Sequence, residues 1–414
     1  MAEPAGFDHA ALAAALREAM RVSLAEGPVF DPAPTLDLAV VAFVPGRAPV
    51  WANVLIARGH PEGVMARIGP QAGAVEDIRY LVDPTDAQRR SIAWAPGADW
   101  TRLEGLQTLH GTGPYRSIAP YPASLIKLMV AVGVGLLVDQ GRADWNEAWR
   151  WGDARTAART RSVLEWTDGM ITESRNEDTS ALVALLHARG LIRREGDGGG
   201  SGGHELHNGL HEAFERNGLP TLRLAQTRPD GGWLNRDGAG VGRLQMTAWD
   251  TVRLMWRMLP MPAPWLPPDA PPLLQPATAR VIWERMADQA LHEVLSSRLG
   301  VGLPGWRAGL PAQVPARWLD AEGRARAADR QWPGDLRPLQ AQARVRFAHK
   351  TGTTENYLSD AGLVESLQPG GRRYLIALLS TLGSRHAPHP LLAGPGCIAA
   401  LGARVDAWLE QRLG

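Results

Sequence analysis

The chain of 414 residues carries 44 Lys+Arg against 43 Asp+Glu, a formal net charge of +1, and 45% hydrophobic residues. That balance excludes an acidic or basic disordered chain and offers no broad cationic face for phosphate backbones, so nucleic acid is not an expected partner. The single cysteine, Cys397, excludes an intrachain disulfide and any C-x-x-C metal or redox motif; it reads as a small buried hydrophobe, and no metal or other cofactor is expected.

No Lys or Arg precedes Arg17, so the N-terminus does not read as a secretory leader. Residues 8–26 carry apolar side chains at helical spacing and predict an amphipathic first helix. Two β-rich runs then flank Pro45 and Gly46, the pattern of a hairpin. Residues 58–114 are mixed and yield no placement. The run from Ser124 to Gly141 is apolar nearly all round, which predicts a helix buried in the protein and stopped by Gly141. Its longest apolar stretch, Leu128 to Val138, falls short of the ~20 residues of a membrane helix, so no membrane span is expected. The compartment is unknown from sequence; a cytoplasmic chain is expected as written, a periplasmic one if a leader was removed.

From about 145 to 335 the pattern is helices joined by loops, among them 205–219 and 277–299, with a Gly-rich insertion at 196–203 and a Pro-rich one at 258–276. After Gln340 the pattern returns to strands, and a helix from Cys397 closes the chain. The expected fold is α/β in the α+β sense. An antiparallel sheet flanked by helices is built from both termini (1–115 and 340–414), and an all-helical lobe (116–339) is inserted between them. No internal repeat is present, and a monomer is expected.

The basic residues are 42 Arg and two Lys, Lys127 and Lys350, so the two lysines are informative by position. Lys127 follows Ser124 by three, which on a helix brings hydroxyl and amine onto one face. A serine is a weak nucleophile until a base takes its proton. A lysine can be that base only if burial or another cation leaves it neutral, and an arginine cannot be. Read blandly, Lys127 is a buried lysine paired with a carboxylate or a snorkelling one.

The second motif is Ser174-Arg175-Asn176, at a loop-to-helix junction. Its hydroxyl and amide can relay a proton and hold a carbonyl, or simply cap a helix. The third, Lys350-Thr351-Gly352-Thr353, ends the strand ARVRFAHKTG; alternation puts Lys350 and Gly352 on one face with Arg346 and Ala348. It offers a cation, hydroxyls for a carboxylate and an unhindered backbone N–H, or else an ordinary edge strand with a protective Lys.

S-x-x-K, S-x-N and K-T-G in this order resemble the penicillin-recognising serine hydrolases and class A β-lactamases, with Arg175 in place of the usual Asp. The resemblance extends to the nucleophile helix SLIKLMVAVGVGLLVDQG, to HKTGTTENYLSDAGLV and to the closing helix; 45–115, 196–203 and 298–342 are unmatched. It implies the β-lactamase/transpeptidase-like fold, Ser124 as nucleophile and Lys127 as base. It implies Ser174 as relay to the leaving nitrogen and Asn176 as the holder of the substrate amide. Lys350 and Thr351 would bind the substrate carboxylate, and the N–H groups of Ser124 and Thr353 would face the oxyanion beside Gly352. The family's deacylating Glu lies four residues before an Asn. In TRPDGGWLNRD, Asn235 fits that Asn, but Gly231 holds the Glu position and Asp230 is the adjacent stand-in.

His204, His207 and His211 fail the H-E-x-x-H spacing and read, with His386 and His389, as solvated faces. The 16 Trp read as core and lobe packing. The expected partner is a small β-lactam or acyl-D-Ala-type substrate, hydrolysed through a Ser124 acyl-enzyme with slow deacylation. The alternatives are a D-alanyl-D-alanine carboxypeptidase or esterase, a glutaminase-like amidase, and a non-turnover penicillin-binding protein.

Overall fold

Asp8 starts the first helix, α1 (His9–Ala25), by accepting the Ala11 N–H at 2.8 Å, a cap that contributes about 1 kcal/mol. Its buried residues Leu12, Leu16 and Met20 recur at fourfold spacing and form the face turned to the sheet. The computed structural model describes residues 7–88, 90–95, 99–152, 156–195, 204–233 and 243–414. The expected hairpin is present as β1 (Leu36–Ala42) and β2 (Val50–Ala57), and β3 (His60–Met65) pairs beyond it.

The stretch without a placement forms a separate three-stranded sheet. It comprises β4 (Ile78–Leu81), β5 (Thr108–His110) and β6 (Tyr115–Ile118), with β4 central, antiparallel to β5 and parallel to β6. The chain continues through α2 (Ile126–Asp139), the hairpin β7 (Ala148–Trp151) and β8 (Arg159–Ser162), α3 (Val163–Thr172) and α4 (Asn176–Ala188). Gly141 lies at φ +66 just past α2, as a helix stop requires. Next come β9 (Ile192–Arg194), β10 (Glu205–Asn208), α5 (Gly209–Arg216), β11 (Arg223–Leu224), β12 (Leu244–Gln245), α6 (Ala248–Arg257) and α7 (Pro276–Ala287). The last part holds β13 (Arg326–Ala327), β14 (Arg330–Gln331), α8 (Arg337–Ala341), β15 (Val345–Thr353), β16 (Leu358–Ser366), β17 (Arg373–Ser380) and α9 (Gly396–Leu413).

The main sheet runs β15-β16-β17-β1-β2-β3, every neighbouring pair antiparallel, so strands from the two ends of the chain meet where β17 pairs with β1. Alternation sorts its side chains. Leu36, Leu38 and Val40 share a core with α1 and α9, while Ala39 and Val41 join the core that holds α2, α4 and α6. This is the α+β architecture expected, with helices on both faces of an antiparallel sheet. The small sheet packs into the second of these cores through Ile78, Tyr80 and Ile118. Five tryptophans, Trp100, Trp166, Trp249, Trp256 and Trp332, are fully buried, as expected of packing residues. Cys397 is buried, which pushes its thiol up to about 11.

Two local expectations fail. The helical pattern of 277–299 stops at Ala287, because the following backbone is claimed by distant groups. The Ala290 N–H donates to Thr172 O (2.9 Å) and the Leu295 N–H to Asp360 Oδ2 (3.1 Å), while the Gln289 side-chain Nε2 donates to Ile171 O (2.9 Å) and His349 O (3.2 Å). Residues 205–208 form a strand, and Asn208 then caps α5. His211 therefore points inward. Its Nε2 accepts the Leu224 N–H at 2.9 Å, and burial, with Arg223 nearby, depresses its pKa to about 4. No helix among the described residues is long and apolar enough to cross a membrane.

Candidate active site

The strand β6 leads through Ala119–Pro122 into a tight 3-10 turn, Ala123–Leu125, that opens α2. Ser124 therefore stands at the mouth of the helix, and Ala123 adopts φ +51, a left-handed conformation that costs a non-glycine residue roughly 1–2 kcal/mol. Ser174, between α3 and α4, adopts φ +62. Strain of this kind persists only where the surroundings over-determine it; among the residues that show it, Ser174 belongs to a motif and Ala123 directly precedes one.

The buried amine of Lys127 collects these motifs. Its Nζ lies 3.1 Å from Ser124 Oγ, 3.1 Å from Ser174 Oγ, 2.5 Å from Ser174 O and 2.8 Å from Asn176 Oδ1. Lys350 Nζ donates to Ser174 Oγ at 2.9 Å and to Thr351 O at 2.6 Å. The Ser174 hydroxyl thus bridges the only two lysines of the chain. Burial drives the Lys127 amine well below the ordinary lysine range, and the charge of Lys350 lowers it further, while Asp178 opposes. Burial lowers Lys350 to about 7, against the pull of Asp360 and Glu293. Two lysines near one hydroxyl, both disfavoured as cations, form a site where protons can be exchanged.

The K-T-G strand is seated directly on the turn that carries Ser124. A Cβ on Gly352 would lie 2.4 Å from Ser359 Oγ, 2.5 Å from Pro122 O and 2.8 Å from Leu125 N, so only glycine permits this approach. Ser359 Oγ donates to Pro122 O at 2.7 Å and closes the same contact. Thr351 is buried beside Lys350, and the Thr353 hydroxyl oxygen, also buried, finds no partner among the described residues.

Several charges escaped the sequence reading. Asp178, buried on the first turn of α4, pairs with Arg161 at 3.1 Å, and burial raises it to about 6. Its signal was its place two residues after Asn176, within the first turn of the helix that the motif opens. Arg175 pairs with Glu173 at 2.8 Å, and Glu173 also accepts the Ala328 N–H at 2.8 Å. The 298–342 segment therefore packs on the S-R-N loop. Behind Lys350, His349 Nδ1 lies 2.7 Å from Asp360 Oδ1, and both are fully buried.

Ser124, Lys127, Ser174, Asn176, Lys350 and Gly352 thus converge. Asp230 does not join them. Its carboxylate pairs with Arg228 at 3.3 Å and accepts the Gly232 N–H at 2.8 Å, and its carbonyl accepts the Trp151 indole N–H at 3.1 Å. It borders a cavity of about 690 Å³ lined with Trp149, His187 and Arg193 and by none of the motif residues. Asn235 lies outside the described residues. Among those residues no group of three or more His, Cys, Asp or Glu could hold a metal ion.

No family model matches the chain, and no curated protein matches it. Solved structures similar to it include PBP-A as its acyl-enzyme complex with penicillin G, at 15% identity and TM-score 0.49, covering 96% of this chain and 97% of that one. The β-lactamase from Sphaerobacter thermophilus DSM 20745 is 12% identical at TM-score 0.49, covering 96% and 97%. TLA-3 extended-spectrum β-lactamase is 11% identical at TM-score 0.47, covering 96% and 99%. Others among the solved structures similar to this chain are likewise class A β-lactamases and PBP-A.

Proposed function

We propose that the chain is a serine hydrolase that opens a β-lactam or related amide through a covalent Ser124 acyl-enzyme. The observation that carries this reading is the Lys127 amine, buried and depressed in pKa, 3.1 Å from both Ser124 Oγ and Ser174 Oγ. A neutral amine there has two N–H groups and one lone pair. The two shortest contacts, to Ser174 O and Asn176 Oδ1, are to atoms with no proton to give, so they take the N–H groups. The lone pair is left for a hydroxyl.

The chemistry follows. Lys127 Nζ takes the Ser124 proton as Oγ bonds to the substrate carbonyl carbon, and the negative charge moves to the carbonyl oxygen, before the N–H groups of Ser124 and Thr353. As the C–N bond breaks, Ser174 gives its proton to the leaving nitrogen and receives one from the Lys127 ammonium. Lys350, with Thr351, binds the substrate carboxylate, and Asn176 orients its amide. Water then has to attack the ester. The carboxylate of Asp230, engaged with Arg228, supports a chain that acylates readily and releases slowly. That also favours the second reading, a D-alanyl-D-alanine carboxypeptidase or penicillin-binding protein.

The test is the lifetime of the adduct. The protein is acylated with penicillin G, freed of excess ligand and followed by intact mass. An adduct persisting for minutes or longer is expected; clearance within a second would overturn slow release, and failure to form any adduct would overturn the whole reading.

A further inference from the structure

Most of the segment between β3 and the Ser124 turn has no counterpart in the motif resemblance, yet it reaches the motif cluster through Asp83 and Ser91. Just beyond β4, Asp83 is buried at 1% exposure, and a loop returns the chain to Ser91 at 0%. Ser91 Oγ donates to Asp83 Oδ2 at 2.5 Å, and the Tyr357 hydroxyl donates to the same oxygen at 2.5 Å; the two hydroxyl oxygens are 2.6 Å apart. Burial and the Asp83 charge hold the Tyr357 phenol well above its ordinary pKa, so it stays a donor.

Tyr357 closes the turn between β15 and β16. The Thr354 N–H donates to Tyr357 O at 2.9 Å, and the Tyr357 N–H returns to Thr354 Oγ1 at 3.1 Å. The residue before Thr354 is Thr353, whose N–H faces the oxyanion in the mechanism above. The Tyr357 ring also meets Tyr121 edge-on, centroids 5.8 Å apart, and Tyr121 precedes Ser124 by three. Tyr357 is therefore bonded through its backbone to Thr354, next to the strand end that carries one oxyanion donor, its ring meets Tyr121, three residues before the other donor, and the inserted segment grips its hydroxyl. Burying a carboxylate and two hydroxyls to hold an aromatic ring is costly where an apolar contact would suffice for stability alone. What the polar triangle adds is direction: it fixes the position of the Tyr357 oxygen, and through the turn the aim of the Thr353 N–H.

We infer that Tyr357 is a positioning residue for the oxyanion donors, held in place by Asp83 and Ser91 of the inserted segment. This rests on the proposed acyl-enzyme chemistry. An oxyanion donor removed outright costs about 10²–10³ in rate, and one left in place but misaimed costs part of that.

The experiment measures Tyr357→Phe, and Ser91→Ala as the milder variant, with two probes. Penicillin G reports the maximal acylation rate and its half-saturation concentration. Phenylboronic acid reports the tetrahedral state: Ser124 Oγ bonds to boron, its proton passes to Lys127, and a boron-bound oxygen stands where the oxyanion would. For Tyr357→Phe the maximal rate should fall about tenfold, half-saturation should stay within about twofold, and boronate affinity should fall with the rate. Ser91→Ala should move the same quantities by less. All values are taken per acylatable molecule, so that partial unfolding does not count. Unchanged rate and boronate affinity in both variants, with only thermal stability lowered, would overturn the inference. If the wild type is neither acylated by penicillin G nor bound by the boronate, it is the acyl-enzyme reading that has failed.

Discussion

Replacing Lys127 with Met separates the base from the packing. Met has similar length and suits a 1% exposed site, but it carries no lone pair to receive the Ser124 proton. Loss of a positioned general base costs about 10²–10⁴ in rate, equivalent to roughly 2.7–5.4 kcal/mol of barrier. The stability effect should be far smaller than a cavity mutation. Ser174 O loses its 2.5 Å donor, a cost of about 1–3 kcal/mol if left unsatisfied, but an amine disfavoured by burial goes with it, and the exposed Asn176 can turn to water. Lys127→Arg should be equally inactive, because a guanidinium stays charged, and less stable, because it overfills the site. The assay is quenched-flow acylation by saturating penicillin G, with thermal unfolding run in parallel. Acylation of Lys127→Met within tenfold of wild type would refute the assignment of Lys127 as base.

The low pKa of Lys350 has a pH signature. Below about 7 its ammonium is charged and can hold a substrate carboxylate, and above about 7 the free protein carries a neutral amine. The half-saturation concentration of penicillin G should therefore rise with pH through neutrality, and that of its methyl ester should not; equal profiles would exclude the carboxylate role. Gly352→Ala forces a Cβ to within 2.5 Å of Pro122 O. It should cost about 1–3 kcal/mol of stability by chemical denaturation and, by displacing the nucleophile turn, about 10² in acylation rate; wild-type behaviour would break the link between strand and turn. Asp230→Asn should leave the acyl-enzyme lifetime unchanged in the mass assay, and a prolonged lifetime would restore Asp230 as the water-activating base.

Most of the convergence of the three motifs was legible because their spacings are local. Ser124 and Lys127 are three apart, and the twofold alternation that put Lys350 and Gly352 on one face of β15 needs no knowledge of the fold. Illegible were the features fixed across long sequence distances. The 288–297 segment carries a helical pattern yet is held open by Thr172, His349 and Asp360. The strands of 66–118 are three or four residues long, too short for an alternation to register, and one pairs parallel. His211 was misread because the helix starts after Asn208, which changes the face on which the imidazole lies. Asp230 was assigned by adjacency to a motif position, and adjacency says nothing about which way a carboxylate points.

The most direct test of the account is the site of modification after brief exposure to penicillin G, determined by intact mass followed by peptide mapping. The account predicts one equivalent per chain, on the peptide containing Ser124, and none in Ser124→Ala. An unmodified wild-type protein, or an adduct that survives Ser124→Ala, would contradict it.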